Sequence, residues 1–382
     1  MNPFDFDRLI DRRNTSSDKW TKYKGTDILP MWVADTDFQS PSCITEALHD
    51  RVNHGVFGYT RTPDSLNTVF IERMSHKYDW TLNASDLTWL PGLVCGLTLA
   101  TRALAQPNDS VMTATPIYPP FMSAPKRSNN TLIKLSMKEG LIDLTSLESE
   151  IKPHTKLLLF CNPHNPGGGM YHRTQLEELA DILIRHDLLI CSDEIHCDLI
   201  LDPDRYHTPI ASLHPEIAAR TITLMAPSKT WNIAGLACSV AIIQDQRLRE
   251  RFQAISKGIV PDVNIMGYVA AEAAYRDGDD WNTAQCEYLR GNRDYLYREI
   301  NSIPGLSMAQ NAATYLAWID ANELPVPHPQ RFFEAAGVGL SNGEDFGDKG
   351  FVRLNFGCPR SRLEEAVHRM ERAVATLSIS NQ

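Results

Sequence analysis

Along the middle of the chain, apolar residues gather in short uninterrupted runs, and segments of helical period lie between those runs. "LTWL" (Leu87–Leu90) predicts a strand leading into a helix, with Pro91 suited to an early helical position. "SVMTA" (Ser110–Ala114) and "KLLLF" (Lys156–Phe160) predict two more strands. The helix expected over Thr174–Asp187 puts Leu176, Leu179, Ala180, Leu183 and Ile184 on one face. Strands follow at Leu188–Ser192, Thr221–Ala226 and Ala237–Ile243. This alternation marks a mainly parallel sheet covered by helices.

From about Pro261 the pattern changes to long helical stretches such as Trp281–Ile303, joined by candidate strands Thr314–Asp320 and Phe351–Phe356. That is the pattern of an α+β lobe. Residues 1–45 have no sheet partner nearby in sequence and are expected to pack on it, and "PVPHPQ" (Pro325–Gln330) reads as a loop.

The chain has 382 residues, enough for more than one core, with 43% hydrophobic and 22% charged residues, as in an ordinary globular enzyme. A net charge of −10 argues against nucleic acid or an anionic membrane as partner. No secretory leader or membrane-spanning run is read. Eight scattered cysteines without a C-x-x-C pair suggest a reducing, cytoplasmic setting and no zinc site. Cys191, Asp193, His196 and Cys197 also fit no standard metal spacing, so no metal is expected.

Ligands of open α/β sheets bind beyond the carboxyl ends of the strands. Those ends here carry a helix start at Gly92–Cys95, Tyr118 in "TPIYPPF", and Asn162 and Asn165 in "NPHNPGG". They also carry Asp193, Glu194 and His196 in "SDEIH", then Ser228 and Lys229 in "SKTWN". Each has an ordinary reading: loop packing for Tyr118, a turn for Asn165, a helix cap for Asp193, solvation for Lys229. Together they are the set that pyridoxal phosphate requires. A desolvated lysine amine forms the Schiff base, a carboxylate keeps the pyridine nitrogen protonated, and a planar ring covers the cofactor face. An amide suits the ring hydroxyl, and a helix N-terminus suits the phosphate. Glycine-rich dinucleotide, P-loop and H-E-x-x-H motifs are missing.

In order and interval, "ILPMWVADTDF", "VFGYT", "NPHNPGG", "SDEIHCDLI", "SKTWNIAGL" and "FVRLNFGCPR" resemble fold-type I pyridoxal phosphate enzymes. More narrowly, they resemble the cystathionine β-lyase branch of the MalY/PatB type, from about Phe4 to the last helix. The resemblance implies the α/β transferase-like fold, with a mostly parallel seven-stranded sheet between helices and a smaller α+β domain. Residues 46–265 would form the large domain, and 1–45 with 266–382 the small one. Lys229 would be the Schiff-base lysine and Asp193 the pyridinium partner. Asn165 would bond the phenolic oxygen and Tyr118 would stack on the ring. His196, Ser228, Val94 and Cys95 complete the expected cofactor contacts. Arg353 would hold the substrate α-carboxylate, with Val33 and Tyr118 beside it. Tyr59 would reach the phosphate of a neighbouring subunit, implying a homodimer with composite sites.

Many aminotransferases carry tyrosine at the position of His196, serine at that of Ala226 and arginine at that of Ala237. These departures favour the lyase branch. The implied reaction is α,β-elimination of L-cystathionine, or another cysteine S-conjugate, to a thiol, pyruvate and ammonia. Two alternatives are an aminotransferase using a 2-oxo acid and a regulatory protein acting by binding a transcription activator.

Overall fold

The computed structural model describes residues 4–379. Seven strands make one sheet: β1 Leu87–Leu90, β2 Ser110–Ala114, β3 Thr131–Leu135, β4 Thr155–Cys161, β5 Leu189–Asp193, β6 Thr221–Met225 and β7 Ser239–Ile242. Their spatial order is β1-β7-β6-β5-β4-β2-β3. All run parallel except β7, which is antiparallel to both neighbours.

Side chains alternate across the sheet, and both faces are covered, which is why the strands read as continuous apolar runs. Leu157 and Leu159 of β4 enter one core with Leu97, Ala100 and Leu104 of the helix Leu93–Leu104. Leu158 and Phe160 enter the opposite core with Leu176, Leu179 and Leu183 of the helix Arg173–Arg185. That second helix buries the face expected of it, with Ile184 at the margin and Ile182 added. The sequence reading missed β3 because it is an edge strand: only Leu135 of its five residues is buried, so its apolar run is broken by Lys134.

A second sheet is antiparallel: β8 Ser307–Met308, β9 Leu316–Asp320, β10 Ser341–Asn342 and β11 Phe351–Asn355, in the order β8-β9-β11-β10. The helices Asp279–Ile300 and Arg360–Ile379 pack together beside it. "PVPHPQ" is a loop only as far as His328, because Pro329 begins a short helix, Pro329–Ala335.

The amino-terminal segment makes contacts with this part of the chain. Leu29–Pro30 pairs in parallel with Val338–Gly339, and Tyr23 donates to Glu334 at 2.6 Å. Residues 32–38 then cross, as an irregular strap, toward the carboxyl ends of the large sheet. Among the described residues no helix is long and apolar enough to cross a membrane.

Candidate active site

The strand ends and the strap enclose a cavity of about 450 Å³. It brings together Lys229, Asp193, Asn165, Tyr118, His196, Ser228, Val94, Val33 and Arg353 from the sequence-derived set. Two expected residues lie elsewhere. Cys95 turns its thiol back onto the Gly92 carbonyl at 2.8 Å, so only its backbone can serve the helix start. Tyr59 is fully exposed in the loop after the helix Ser42–His54.

Lys229 stands in the turn that follows β6. Its Nζ donates to the Ala34 carbonyl of the strap at 2.6 Å, a bond between residues far apart in sequence. Burial lowers this amine to about 8, partly opposed by Asp35 and Asp193 and assisted by Arg353. Asp193 ends β5 and accepts from the Ile195 amide at 3.1 Å. Burial is the main cause of its rise to about 7; Glu194 adds to it, while the Ile195 amide and Lys229 pull the other way. The adjacent Glu194 turns to the other side. It accepts from Ser192 Oγ at 2.8 Å and meets His207 Nε2 at 2.7 Å, fastening the 207–210 loop. The "DE" pair is thus one site residue and one structural residue.

Arg353, on β11, answers the question its sequence position left open. It donates to Asn165 Oδ1 at 2.9 Å, to the Trp32 carbonyl at 2.8 Å and to Ser341 Oγ at 3.3 Å, and it lies 4.7 Å from the Phe346 ring. It is 5% exposed, no described carboxylate pairs with it, and its Nε has no partner. Burial brings the guanidinium down to about 10. A buried cation without a counter-ion is costly unless a ligand supplies the anion. A salt bridge on the strand, the usual fate of an arginine in that setting, does not account for Arg353.

His196 is buried, lines the cavity and leaves Nδ1 unpartnered. Burial, with Lys229 and Arg353 nearby, presses its imidazole down to about 3, so it is neutral at physiological pH. At the other end, the helix Leu93–Leu104 begins after Gly92 with no side-chain cap, leaving its first amides open to an anion. Ser228 and Ser239 flank that end of the cavity. Asn165 is held in place by the glycines behind it. Gly168 has φ +67, and a Cβ there would lie 2.3 Å from the Asn311 Cβ, so only glycine lets this loop close on the second lobe.

The strap and its fasteners were not found at the strand ends. Asn232, in the same turn as Lys229, donates to the carbonyls of Thr36 at 3.0 Å and Phe38 at 2.9 Å. Asn355 donates to the carbonyls of Val33 and Asp35, and Tyr315 Oη reaches the Ala34 carbonyl at 3.1 Å. Underneath, Asp37 meets Arg12 at 2.8 Å, Lys19 at 3.2 Å and Arg362 at 2.8 Å. Although burial raises it, these three cations hold the Asp37 carboxyl well below the usual carboxylate range. Stability from this depressed group is present above the ordinary carboxylate range and is lost as pH falls. Asp37→Ala leaves the buried Lys19 ammonium short of its main partner and is expected to cost about 3–5 kcal/mol, read as a lower urea midpoint.

The donors fit pyridoxal phosphate on structural grounds. There is an unpaired buried carboxylate for the ring nitrogen, a partly deprotonated lysine, an aromatic wall at Tyr118 and an uncapped helix start for the phosphate.

The family model "Aminotransferase class I and II" matches residues 27–370. The chain is 35% identical to "Cystathionine beta-lyase PatB" of Bacillus subtilis, over 97% of this chain and 100% of that protein. The crystal structure of OvoB superposes with a TM-score of 0.95 at 51% identity, covering 97% of this chain and 99% of that one. Cystalysin from Treponema denticola, whose crystal structure contains pyridoxal 5'-phosphate, superposes with a TM-score of 0.93 at 32% identity, covering 98% and 99%.

Proposed function

The chain belongs to the class I and II aminotransferase family, and from that premise we propose that it is a pyridoxal-phosphate-dependent carbon–sulfur β-lyase. It cleaves L-cystathionine or a related cysteine S-conjugate, consuming water and releasing a thiol, pyruvate and ammonia. The observation that carries this reading is one cavity holding an unpaired anion, an unpaired cation and a depressed lysine amine. Arg353 offers the uncompensated positive charge that an amino-acid carboxylate needs, and Lys229 offers the base.

Bound pyridoxal phosphate would attach to Lys229 and act as the electron sink for the carbanion at Cα. The chain's residues supply the rest. The uncapped amides at Leu93–Cys95, with Ser228 and Ser239, hold the phosphate. Asp193 keeps a proton on the ring nitrogen, Tyr118 covers one face, and Asn165 and neutral His196 hold the polar edge. Arg353 grips the α-carboxylate bidentately. Lys229 then takes the Cα proton, and the Ala34 carbonyl, which also accepts from the Tyr315 hydroxyl, holds the amine near its resting position. His196, Ala226 and Ala237, which replace residues common in aminotransferases, favour elimination over transamination.

The exposed Val52, Val56, Phe57 and Tyr59 support a second subunit seated there. In that dimer Tyr59 of the partner subunit reaches the phosphate end of the cavity. We read residues 46–265 as the cofactor lobe and 1–45 with 266–382 as the lobe that supplies Arg353.

The reading is tested by incubating the cofactor-loaded protein with L-cystathionine and no added 2-oxo acid. Stoichiometric pyruvate and thiol over many turnovers are expected, while dependence on a 2-oxo acid would show transamination instead. A second measurement follows from the amine. Because burial lowers Lys229 to about 8, incorporation of the cofactor into cofactor-free protein should speed up as pH rises through about 8, then level off. Stopped-flow absorbance checks the profile, and a rise that continues toward the ordinary lysine range would place the amine in water.

A further inference from the structure

Asp18 stands at the start of the short helix Asp18–Thr21 and lines the same cavity as Arg353 and Lys229, beside Trp32, Val33 and Ala34. It also borders a second, open groove of about 1050 Å³ that runs along residues 9–29. The cavity and the groove thus share this exposed carboxylate, which we read as the outlet of the cavity. Every other carboxylate around the outlet is engaged. Asp11 pairs with Arg13, Asp27 with Arg369, Asp35 with Arg12, and Asp37 with Arg12, Lys19 and Arg362. Among the described residues the Asp18 carboxylate meets neither an ion-pair partner nor a hydrogen-bond donor, although it is one turn from Lys22. Lys22 is turned away onto the Trp32 ring at 4.8 Å and toward Glu334 at 3.8 Å.

The rest of the outlet wall next to Asp18 is the Trp32 indole and the apolar side chains of Val33 and Ala34. The Trp32 ring already carries the Lys22 ammonium, so the uncommitted Asp18 carboxylate is the group left to receive an ammonium on a substrate. Arg353 fixes the substrate's carboxylate and Lys229 its Cα, so what extends beyond them toward Asp18 is the group on sulfur. We propose that Asp18 sets leaving-group specificity, selecting cysteine S-conjugates whose departing thiol carries a cationic amine. This rests on the lyase reading above.

Three conjugates of similar size separate the alternatives: S-(2-aminoethyl)-L-cysteine, S-propyl-L-cysteine and S-(2-carboxyethyl)-L-cysteine. For the cofactor-loaded protein, kcat/KM for the aminoethyl conjugate should exceed that for the propyl conjugate by roughly two- to fivefold, the yield of one ion pair at an exposed carboxylate. Asp18→Asn should bring that ratio close to one, and Asp18→Lys should invert the order toward the carboxyethyl conjugate. A structural role for Asp18 would lower all three rates together and leave the ratios alone. A wild-type ratio near one, or ratios unmoved by both substitutions, would overturn the assignment. The same ratios measured as dissociation constants, from the change in visible absorption of the loaded protein, need no turnover. If no conjugate yields pyruvate, the lyase reading falls while those binding ratios still decide the role of Asp18.

Discussion

Lys229→Ala is expected to lower pyruvate release by on the order of 10⁴-fold or more in a protein that remains folded. In the proposed mechanism Lys229 both anchors the cofactor and moves the Cα proton, and no other residue lining the cavity is suited to do either. His196 is a neutral imidazole of very low basicity, and Arg353 is a guanidinium that does not give up its proton in this range. The fold should tolerate the change. The substitution removes a desolvated amine, and the Ala34 carbonyl that it abandons still receives Tyr315. Near-native circular dichroism with no turnover, and partial rescue by a small added amine, are the expected results. A folded variant that keeps more than about one per cent of the wild-type rate would remove Lys229 from the mechanism.

Asp193→Asn should be the next most damaging substitution. Asparagine keeps the shape and can still accept from the Ile195 amide, so the effect isolates the charge. Losing one member of a desolvated charge pair costs about 2–5 kcal/mol, or roughly 30- to 5000-fold in kcat/KM, and the cofactor should leave faster on dialysis. The cofactor-free protein supplies a control of opposite sign. There Asp193 is an unpaired buried acid raised to about 7, so its contribution to stability is present at low pH and is lost as pH rises through about 7. Asp193→Asn should remove that loss, making the empty protein relatively more stable at pH 8 while making the loaded enzyme slower. Urea titrations at pH 6 and pH 8 measure it. A variant with wild-type kcat/KM would mean that the ring nitrogen needs no counter-ion here.

The parts of this site that the sequence exposed are those with a local signature. A buried strand is an apolar run, and the residue after it sits at the sheet edge whatever the rest of the fold does. Tyr118, Asn165, Asp193, His196 and Lys229 were all legible on that basis, and all five line one cavity. Arg353 was legible only through resemblance, because a guanidinium on a strand has many ordinary fates; its lack of a counter-ion is a fact of three dimensions. The strap was hidden for a different reason. Residues 32–38 form neither helix nor strand, and their backbone groups are satisfied by Asn232, Asn355, Tyr315 and Arg353 from distant parts of the chain. No periodicity records such partners. Asn232 stood in plain view inside "SKTWN", but its task concerns a segment about two hundred residues earlier. The edge strand β3 was lost to the same blindness on a smaller scale, since exposure on one side interrupts the apolar run.

The ion cluster beneath the strap joins two segments far apart in the sequence. Arg12 and Lys19 come from the first twenty residues and Arg362 from the helix Arg360–Ile379, and all three close on Asp37, three positions from the carbonyl that receives the Lys229 amine. The segment around Arg12 and Lys19 and the start of the helix Arg360–Ile379 are therefore part of the suspension of the cavity wall, and substitutions there are not free. Trimming the leading twenty residues, or cutting the final helix away, should slacken the seat of Lys229 without touching any group that meets substrate. A circular permutation that joined the old ends would have to respect that knot. New ends would be better opened at a surface turn of the large sheet, such as the one before β3.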